Sequence, residues 1–552
     1  MIEQIKWIHS LEKIHPDRVP ESANIPASFL TGETFSIQCA FLTSSEAGGM
    51  AEITLSGPFS DYAHVREVCP VPVRYAGRIW ENGEAHVYAP GLYPDRLREL
   101  TENRVRLYPG QWHALWVTVV CEAGEGIPCG VHPLTVTVHP DGGEPAQASI
   151  ELEHIPVSLP PQTLLHTEWF HVDCLADYYK VDPWSETHWR IVGKFLSHYA
   201  ARGMNMVLVP VLTPPLDIAV GHERTTVQLV EIEEEMPGEF RFGFEKLKRY
   251  LMLCKQAGIE QFEISHLFTQ WGAQAAPKVM VRREGALVRR FGWDTPADGP
   301  DYLNFLQQFL KALTGRLNDW GLAGCVCFHL SDEPEGDALE RYRFLRRTVG
   351  AWVAPYPIMD ALSDYSFCAS GAADRAVPSM DALPLFAKKG VSPLWTYYCV
   401  AQNRGTPNRY MAMPACQVRI LGVLLYIYQA DGFLHWGYNF YNSQYSLEHI
   451  DPYAVTDAGG AFPAGDAFLV YPGADGTPED SLRMMWMQEA MQDLRALRLL
   501  ESIWGREQVV EFLLNAAGGR ITVSQWPRNA EFLLNLRQQV NDALRALAIS
   551  LE

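Results

Sequence analysis

Strand-like and helix-like segments alternate along residues 159 to 502, and this alternation constrains the fold more than any other feature of the chain. Short apolar runs alternate with longer amphipathic segments, which is typical of β/α units that share a parallel sheet. The predicted strands span residues 167–173, 204–211, 262–268, 325–332, 358–362, 394–400, 433–441 and 468–471. The predicted helices span residues 186–202, 243–257, 301–319, 337–350, 413–429 and 479–501. Eight strands with intervening helices predict an α/β chain whose main domain is a (β/α)8 barrel.

The residues before this segment have an all-β pattern. Short runs rich in β-branched and aromatic residues alternate with Gly, Pro and Ser turns, at residues 35–43, 51–55, 114–120, 134–138 and 148–154. Such spacing is typical of a β-sandwich. The proline-rich link at 155–161 is a change of composition that marks a boundary. We therefore predict a β-sandwich domain (1–158), a (β/α)8 barrel domain (159–502) and a C-terminal helical segment (503–552).

Charge and hydropathy exclude several classes of partner. The net charge is -20 and the pI about 5.3, whereas nucleic acids and anionic membranes need a clustered basic face. No apolar run is long enough to cross a bilayer, so we expect no membrane insertion. The opening residues lack the pattern of a secretion signal, and we expect a cytoplasmic location. The oligomeric state stays open.

Cysteine and glycine patterns point away from metals and nucleotide cofactors. The 11 cysteines are scattered, and neither Cys nor His recurs at the spacing of a zinc site. No dinucleotide or phosphate-binding fingerprint occurs, and no Gly-x-Ser-x-Gly motif is present. We therefore expect free thiols, no metal and no cofactor.

Two adjacent carboxylates, Asp332 and Glu333, end the fourth predicted strand, and we call them the acid pair. Barrel enzymes place their active sites at the carboxyl ends of the strands. Because side chains alternate along a strand, Asp332 joins Glu333 on one face only if the strand ends or bulges there. The alternative is a polar turn in which both acids cap the next helix.

Aromatic, amide and imidazole side chains follow other predicted strands. Aromatic rings pack against the C–H faces of sugars while carboxylates act at the glycosidic bond, so this set predicts a sugar site. The candidates are His171, Asp173, His266, Trp271, Trp395, Tyr397, Tyr398, Trp436, Tyr438 and Asn439. For the aromatic and histidine residues, plain packing in the core is the alternative. The insertions at 212–242 and 269–300 could add lids or walls to the site.

Five motifs in this order resemble glycoside hydrolase family 123 and the uncharacterised domain family 4091 grouped with it. They are His166–Asp173, Ser331–Pro334, Leu394–Tyr398, Gly432–Phe440 and Tyr471–Gly473 with the Ser481–Arg483 segment that follows. The resemblance covers the predicted barrel, and Trp116–Val119 with Gly130 extends it into the predicted sandwich.

This resemblance implies a β-N-acetylgalactosaminidase that acts with retention of configuration on a glycan or a glycolipid-derived oligosaccharide. It implies that Glu333 is the general acid/base. It also implies that Asp332 orients the 2-acetamido group, whose carbonyl oxygen attacks the anomeric carbon to give an oxazolinium intermediate. Tyr397 is the candidate partner of the acetamide carbonyl, Trp436 the candidate sugar platform and Asn439 a candidate hydroxyl ligand.

Two other interpretations stay open at this point. One is a catalytically silent sugar-binding or scaffold protein that keeps the aromatic cleft. The other is a glycosidase for another sugar, with a conventional carboxylate nucleophile such as Asp173. The sequence leaves open the aglycone, exo or endo action, and the preference between the galacto and gluco sugars.

Overall fold

A computed structural model describes residues 1–21, 25, 27–46, 48–81, 84–121, 126–333, 338–403 and 405–551 of this mixed α/β chain. The first strands are β1 (Ile2–His9), β2 (Ser28–Thr31), β3 (Thr34–Thr43), β4 (Gly49–Ser56), β5 (Ala63–Val73), β6 (Arg78–Glu81), β7 (Glu84–Val87), β8 (Gly91–Glu99), β9 (Arg104–Leu107), β10 (Trp112–Val120), β11 (Gly130–Pro140) and β12 (Ala146–Ser158). All five strands predicted in this region are present.

Ten of these strands form two five-stranded sheets, in the orders β1-β3-β10-β5-β8 and β2-β12-β11-β4-β9. Alternate residues of β3, such as Phe35, Ile37 and Phe41, are buried against Val136 and Val138 of β11. The period of two in the sequence therefore produces one apolar face on each sheet, and the two faces pack as a β-sandwich.

The later strands are β13 (Leu165–Glu168), β14 (Met206–Val209), β15 (Glu231–Met236), β16 (Glu239–Gly243), β17 (Gln261–Ile264), β18 (Val279–Arg283), β19 (Ala286–Phe291), β20 (Val326–Phe328), β21 (Met359–Ala361), β22 (Arg375–Val377), β23 (Trp395–Tyr397), β24 (Gly432–His435), β25 (Val470–Pro472) and β26 (Pro478–Asp480). The helices are α1 (Val172–Tyr179), α2 (Glu186–Ala201), α3 (Glu245–Gln256), α4 (Pro300–Asp319), α5 (Leu339–Val353), α6 (Tyr365–Ala369), α7 (Leu383–Lys388), α8 (Cys416–Arg419), α9 (Leu421–Ile427), α10 (Leu482–Trp504), α11 (Arg506–Ala516) and α12 (Ala530–Leu551).

Eight short strands pair in parallel. β24 lies between β13 and β23, β17 lies between β14 and β20, and β21 pairs with β22. Single bridges join these groups: Phe328 to Ile358 next to β20 and β21, and Ser379 to Tyr397 next to β22 and β23. These strands have three or four residues each, and several of the loops that follow them carry pocket residues.

Two strand predictions are corrected. The run at 468–471 was predicted as the eighth parallel strand, but β25 pairs with β26 in an antiparallel hairpin. The parallel strand that the prediction missed is β22, a three-residue segment too short to produce a periodic signal.

The first predicted strand, 167–173, is also too long. β13 ends at Glu168, and the next helix, α1, begins at Val172 with His171 as its N-cap residue. Asp173 therefore lies in the first turn of a helix, where its charge favours the helix N-terminus.

The two insertions come together in one sheet of order β16-β15-β18-β19. Phe240 and Phe291 of this sheet pack against Phe305, on the apolar stripe of α4. The sheet that the two insertions form is thereby packed on a helix, and the first residues of each insertion line a pocket.

The first turn of the long helix α10 contacts the β-sandwich. Its N-cap Ser481 accepts a hydrogen bond from the Met484 amide, and Arg483 follows within the first turn. Arg483 donates to both oxygens of Asp95 of the sandwich, over 2.8 and 2.9 Å, and both residues are buried. Tyr471 donates to the same carboxylate over 2.6 Å.

All 11 cysteines are free thiols, as predicted. In the part of the chain that the structure describes, no helix has the length and apolarity needed to span a bilayer.

We expect Asp95→Ala to lower the free energy of unfolding by about 3–5 kcal/mol, because it leaves the Arg483 guanidinium buried without its counter-charge. Urea denaturation of the full chain measures this change. Asp141→Ala is the control, since it removes an exposed partner of Arg104 and should cost at most about 1 kcal/mol. Equal losses in the two variants would contradict the argument.

Candidate active site

An open pocket lies where the parallel strands end and their loops begin. Its walls are Trp169, Leu216, Asp217, Gln270, Trp271, Asp332, Glu333, Ala361, Tyr397, Cys399, Val400, Leu434, Trp436, Gln444 and Phe462. Most of these side chains are apolar or aromatic, and the carboxylates are few and close together, which is typical of a small-molecule site.

Backbone geometry turns both members of the acid pair toward this pocket. β20 ends at Phe328, and Glu333 has a φ of 41°, in the left-handed region that non-glycine residues rarely occupy. The regular alternation of a strand is therefore lost, as the sequence argument required for Asp332 to join Glu333. The backbone amide of Trp271 donates to the Asp332 carbonyl oxygen over 2.9 Å and fixes the turn.

Tyr397 connects β23 to the acid pair. Its hydroxyl donates to Oε1 of Glu333 and lies 3.2 Å from the Ser363 hydroxyl. Tyr397 is buried except for the edge that lines the pocket. This position supports the prediction that Tyr397 belongs to the site, and the contact of its hydroxyl is with Glu333.

A buried ionic network lies beneath the acid pair. His329 is hydrogen-bonded to Glu263 over 2.8 Å and to Asp360 over 3.2 Å, and Tyr342 donates to Asp360. Burial opposes protonation of His329, but the two carboxylates outweigh it and raise the pKa of the imidazole to about 9. His329 is therefore a cation at neutral pH, and its charge acts on Asp332.

His266, His329 and Asp360 are also close enough to be considered as a metal site, since one ligand atom of each lies within 4.8 Å of the others. A metal needs neutral imidazole nitrogens. Both nitrogens of His329 instead face carboxylates, which favour its protonated form. The cluster is better suited to a proton than to a metal ion.

Burial raises the pKa of the Asp332 carboxyl well above its usual range, and the adjacent Glu333 raises it further. The His329 cation acts in the opposite direction. Two adjacent carboxylates repel each other when both are ionised, and this repulsion favours the protonated form of Asp332.

Two of the predicted tryptophans also line the pocket. Trp436 lies on one wall, and its indole nitrogen donates to Asp466 over 3.1 Å. Trp271 lies at the mouth with 46% of its surface exposed, edge-to-face with Tyr445 at a centroid distance of 5.8 Å. Both positions suit contact with a sugar ring.

The structure does not bring Asn439 or Tyr438 to the pocket, which corrects their predicted role in sugar binding. Asn439 is fully buried, and its amide pairs with the backbone amide and carbonyl of His171 over 2.8 and 3.0 Å. Tyr438 is also fully buried, and its hydroxyl bonds to His198 over 2.9 Å. Their polar groups serve the packing between elements.

Three other candidates are buried inside the fold. Trp395 packs so closely under Gly432 that a Cβ atom on the glycine would meet its ring at 2.3 Å. Tyr398 packs edge-to-face against His435, and His266 stacks on His329 at 4.5 Å. For these residues the packing interpretation is the correct one, because none lines the pocket.

His171 and Asp173 belong to a separate buried cluster. Arg224 donates to both oxygens of Asp173, over 2.6 and 2.8 Å, and to His171 over 3.1 Å. Burial and the Arg224 charge lower the pKa of His171 to about 3. Asp173 is thus neutralised by a bidentate partner and does not line the pocket, which argues against its use as a nucleophile.

The prediction missed several residues of the site. Asp217 lines the pocket from a loop and Gln444 from the short 3-10 helix Gln444–Ser446, so no strand pattern pointed to them. Glu263 and Asp360 lie inside predicted strands, at positions 263 and 360. A carboxylate within an apolar strand is a signal that could have identified both.

The model of the catalytic domain of glycoside hydrolase 123 matches residues 169–500, more than half of the chain. The chain belongs to glycoside hydrolase family 123. It is therefore a glycoside hydrolase, and the match covers the acid pair and every residue of the pocket. The resemblance predicted from the five motifs is confirmed.

The fold is shared with a solved structure of the same family. A family 123 glycoside hydrolase from Clostridium perfringens, described in a study of glycolipid glycan hydrolysis, has a TM-score of 0.74 at 15% identity over 99% of each chain. A GH5 xyloglucanase from Bacteroides ovatus reaches only 0.32 at 9% identity, over 84% of this chain and 98% of its own. A GH5 mannosidase from Rhizomucor miehei has a TM-score of 0.34 at 9% identity, over 64% of this chain and 97% of its own. No curated protein matches the chain.

We expect Asp332→Asn to raise the thermal unfolding midpoint at pH 7. An acid whose pKa is raised in the folded state binds its proton more tightly there than in the unfolded chain, so stability falls as the pH rises from its unfolded pKa to its folded pKa. Asparagine cannot ionise and removes this loss.

The gain should shrink as the pH falls toward 4, because the carboxyl group of Asp332 then begins to bind its proton in the unfolded chain as well. Thermal unfolding followed by circular dichroism across this pH range measures it. Asp298→Asn, at an exposed acid, serves as the control and should show no such trend. A variant that is less stable than wild type at pH 7 would contradict the argument.

Proposed function

We propose that this family 123 hydrolase removes β-linked N-acetylgalactosamine with retention of configuration, by substrate-assisted catalysis through an oxazolinium intermediate. The observation that carries the proposal is the acid pair itself. Two neighbouring carboxylates line one pocket, with the Tyr397 hydroxyl on one of them. Each acid then has its own task.

Adjacency is what this mechanism needs. In a retaining enzyme with a protein nucleophile, two carboxyl groups about 5 Å apart flank the bond from different elements. When the 2-acetamido oxygen of the substrate attacks instead, the second acid has to reach the acetamide N–H next to the first. Residues 332 and 333 satisfy this requirement because the chain turns sharply between them.

Glu333 acts as the general acid, which protonates the leaving oxygen and later activates water. Donation from Tyr397 holds its carboxyl group in one orientation. Asp332 accepts a hydrogen bond from the acetamide N–H and stabilises the positive charge that develops on the oxazolinium ring. This first step requires the proton on Glu333 and a negative charge on Asp332, whereas burial and the adjacent Glu333 raise the pKa of Asp332. The acetamide N–H of the bound substrate, by donating to Asp332, favours the carboxylate form of Asp332 and leaves the proton of the pair on Glu333.

The apolar part of the pocket suits the sugar. Trp436, Leu434 and Phe462 line it. The Trp436 indole, fixed by its hydrogen bond to Asp466, offers a flat surface to the C–H face of a pyranose ring. We propose Trp436 as the platform and Trp271 as a contact at the mouth.

We also propose that the eight parallel strands close into a (β/α)8 barrel. The pairings and bridges run in the order β13, β14, β17, β20, β21, β22, β23, β24 and back to β13. Between β13 and β14 the support is a hydrogen bond from the Asn205 amide to the His166 carbonyl, over 3.1 Å. The division into domains at residues 158 and 502 stays a prediction.

The substrate class follows from the same site. We propose a glycan or a glycolipid-derived oligosaccharide that ends in a 2-acetamido sugar. The Clostridium perfringens relative, studied in connection with glycolipid glycans, supports this class. A conventional nucleophile at Asp173 is disfavoured by its pairing with Arg224.

Chromogenic substrates test the reaction. We expect cleavage of β-N-acetylgalactosaminide, no cleavage of the plain β-galactoside, and inhibition by a thiazoline analogue of the intermediate. Glu333→Gln should lower kcat/KM by about 10²–10⁴-fold. The loss should be smaller for a substrate whose leaving group departs easily without a proton, because that substrate depends less on the general acid.

Glu340→Gln is a matched control, because Glu340 is an exposed glutamate in the first turn of α5. It should retain wild-type kcat/KM. Efficient cleavage of the plain galactoside, or insensitivity to the thiazoline, would show that a protein nucleophile is used. Binding without any turnover would support the silent sugar-binding protein.

A further inference from the structure

A third carboxylate lines the pocket and has no part in the reaction described above. Asp217 lies on the loop after β14 and is partly buried, like the acid pair. Its charge is close enough to raise the pKa of Asp332. A partly desolvated acid next to two other acids lowers the stability of the fold. Such unfavourable groups are typical of functional sites, which indicates a role of Asp217 in binding.

Two other segments of the chain hold Asp217 in one orientation. Its backbone amide donates to Gln270 Oε1 over 2.5 Å, and its carbonyl accepts from the Ser446 hydroxyl over 2.7 Å. Its φ of 46° lies in the left-handed region. The backbone amide of Tyr445 donates to Oδ2 over 3.0 Å. The carboxylate is therefore preorganised before any ligand binds.

One carboxylate oxygen is left to the pocket. Oδ1 of Asp217 has no hydrogen-bond partner among the residues that the structure describes. Arg224, the buried cation nearby, is occupied by Asp173. Burial raises the pKa of Asp217 to about 6. The hydrogen bond from the Tyr445 amide and the charge of Arg224 act in the opposite direction and keep the pKa from rising further. At neutral pH the group is mainly a carboxylate, which accepts hydrogen bonds but cannot donate them.

The ligand chemistry follows from this arrangement. A sugar ring held against Trp436 with its anomeric carbon at the acid pair carries hydroxyl groups on its other carbons. A hydroxyl donates one hydrogen bond, and an ionised acceptor makes that bond about twice as strong as a neutral one. The remaining loop groups, such as the Gln270 amide, are already occupied by the backbone.

We propose that Asp217 is a specificity-determining residue that accepts a hydrogen bond from a hydroxyl group of the bound sugar. The inference rests on the proposed function, since it takes the sugar in the pocket to be the one cleaved at the acid pair. Gln270 and Tyr445 are then positioning residues, which hold the Asp217 loop and its carboxylate.

Deoxygenated substrates separate this role from a structural one. The experiment compares kcat/KM of the β-N-acetylgalactosaminide with its 3-, 4- and 6-deoxy analogues, in wild type, Asp217→Asn and Asp217→Ala. In wild type at least one deoxygenation should cost roughly 10- to 100-fold. In Asp217→Ala that ratio should fall close to one, because the hydroxyl has lost its acceptor.

Asp217→Asn keeps an oxygen for the Tyr445 amide, so it protects the test against misfolding of the loop. Ser446→Ala is the matched control, because it removes a bond to the Asp217 carbonyl without changing the carboxylate. It should keep the wild-type ratios even if its overall activity falls. Unchanged ratios in both Asp217 variants would overturn the proposal.

The outcomes also separate this inference from the proposed function. If wild type cleaves the plain β-galactoside instead, the proposed function fails, and the deoxygalactoside series tests Asp217 in the same way. If wild type cleaves neither, calorimetric titration with N-acetylgalactosamine and its deoxy analogues replaces turnover. Absence of any sugar binding would overturn both proposals.

Discussion

The placement of two adjacent carboxylates in one partly apolar pocket is the constraint on which the rest of this structure depends. Such a pair is unfavourable unless it shares a proton or finds a counter-charge. The fold supplies a hydrogen bond and a counter-charge: Tyr397 donates to Glu333, and the His329 cation lies beneath, held by Glu263 and Asp360. The charges of this network therefore influence how the acid pair is protonated.

The architecture could be predicted from the sequence where the pattern was long. Apolar residues recur every two positions in β3 and β11, and this period predicted the sandwich. Apolar residues recur about every 3.6 positions in α4 and α10, and this period predicted both helices to within a few residues of their observed bounds. The pattern failed where elements were short. β22 has three residues, and the apolar run that became β25 folded back onto β26, a tertiary choice that no local propensity records.

The site was predicted in the same uneven way. The acid pair, Tyr397, Trp436 and Trp271 could be found because unusual residues follow apolar strands, and all five line the pocket. Asn439 and Tyr438 follow a strand too, yet they turn inward and satisfy buried backbone and side-chain groups. Spacing alone cannot separate these cases, because the direction of a side chain beyond the strand end depends on φ values such as that of Glu333.

The division of labour within the acid pair is tested most directly by a crystal structure with a thiazoline analogue of N-acetylgalactosamine. The account predicts that an Asp332 oxygen lies within about 2.7–3.2 Å of the thiazoline nitrogen. It also predicts that Glu333 lies on the side of the leaving oxygen, with the ring against Trp436. An analogue bound outside this pocket, or an Asp332 carboxylate turned away from the nitrogen, would contradict it.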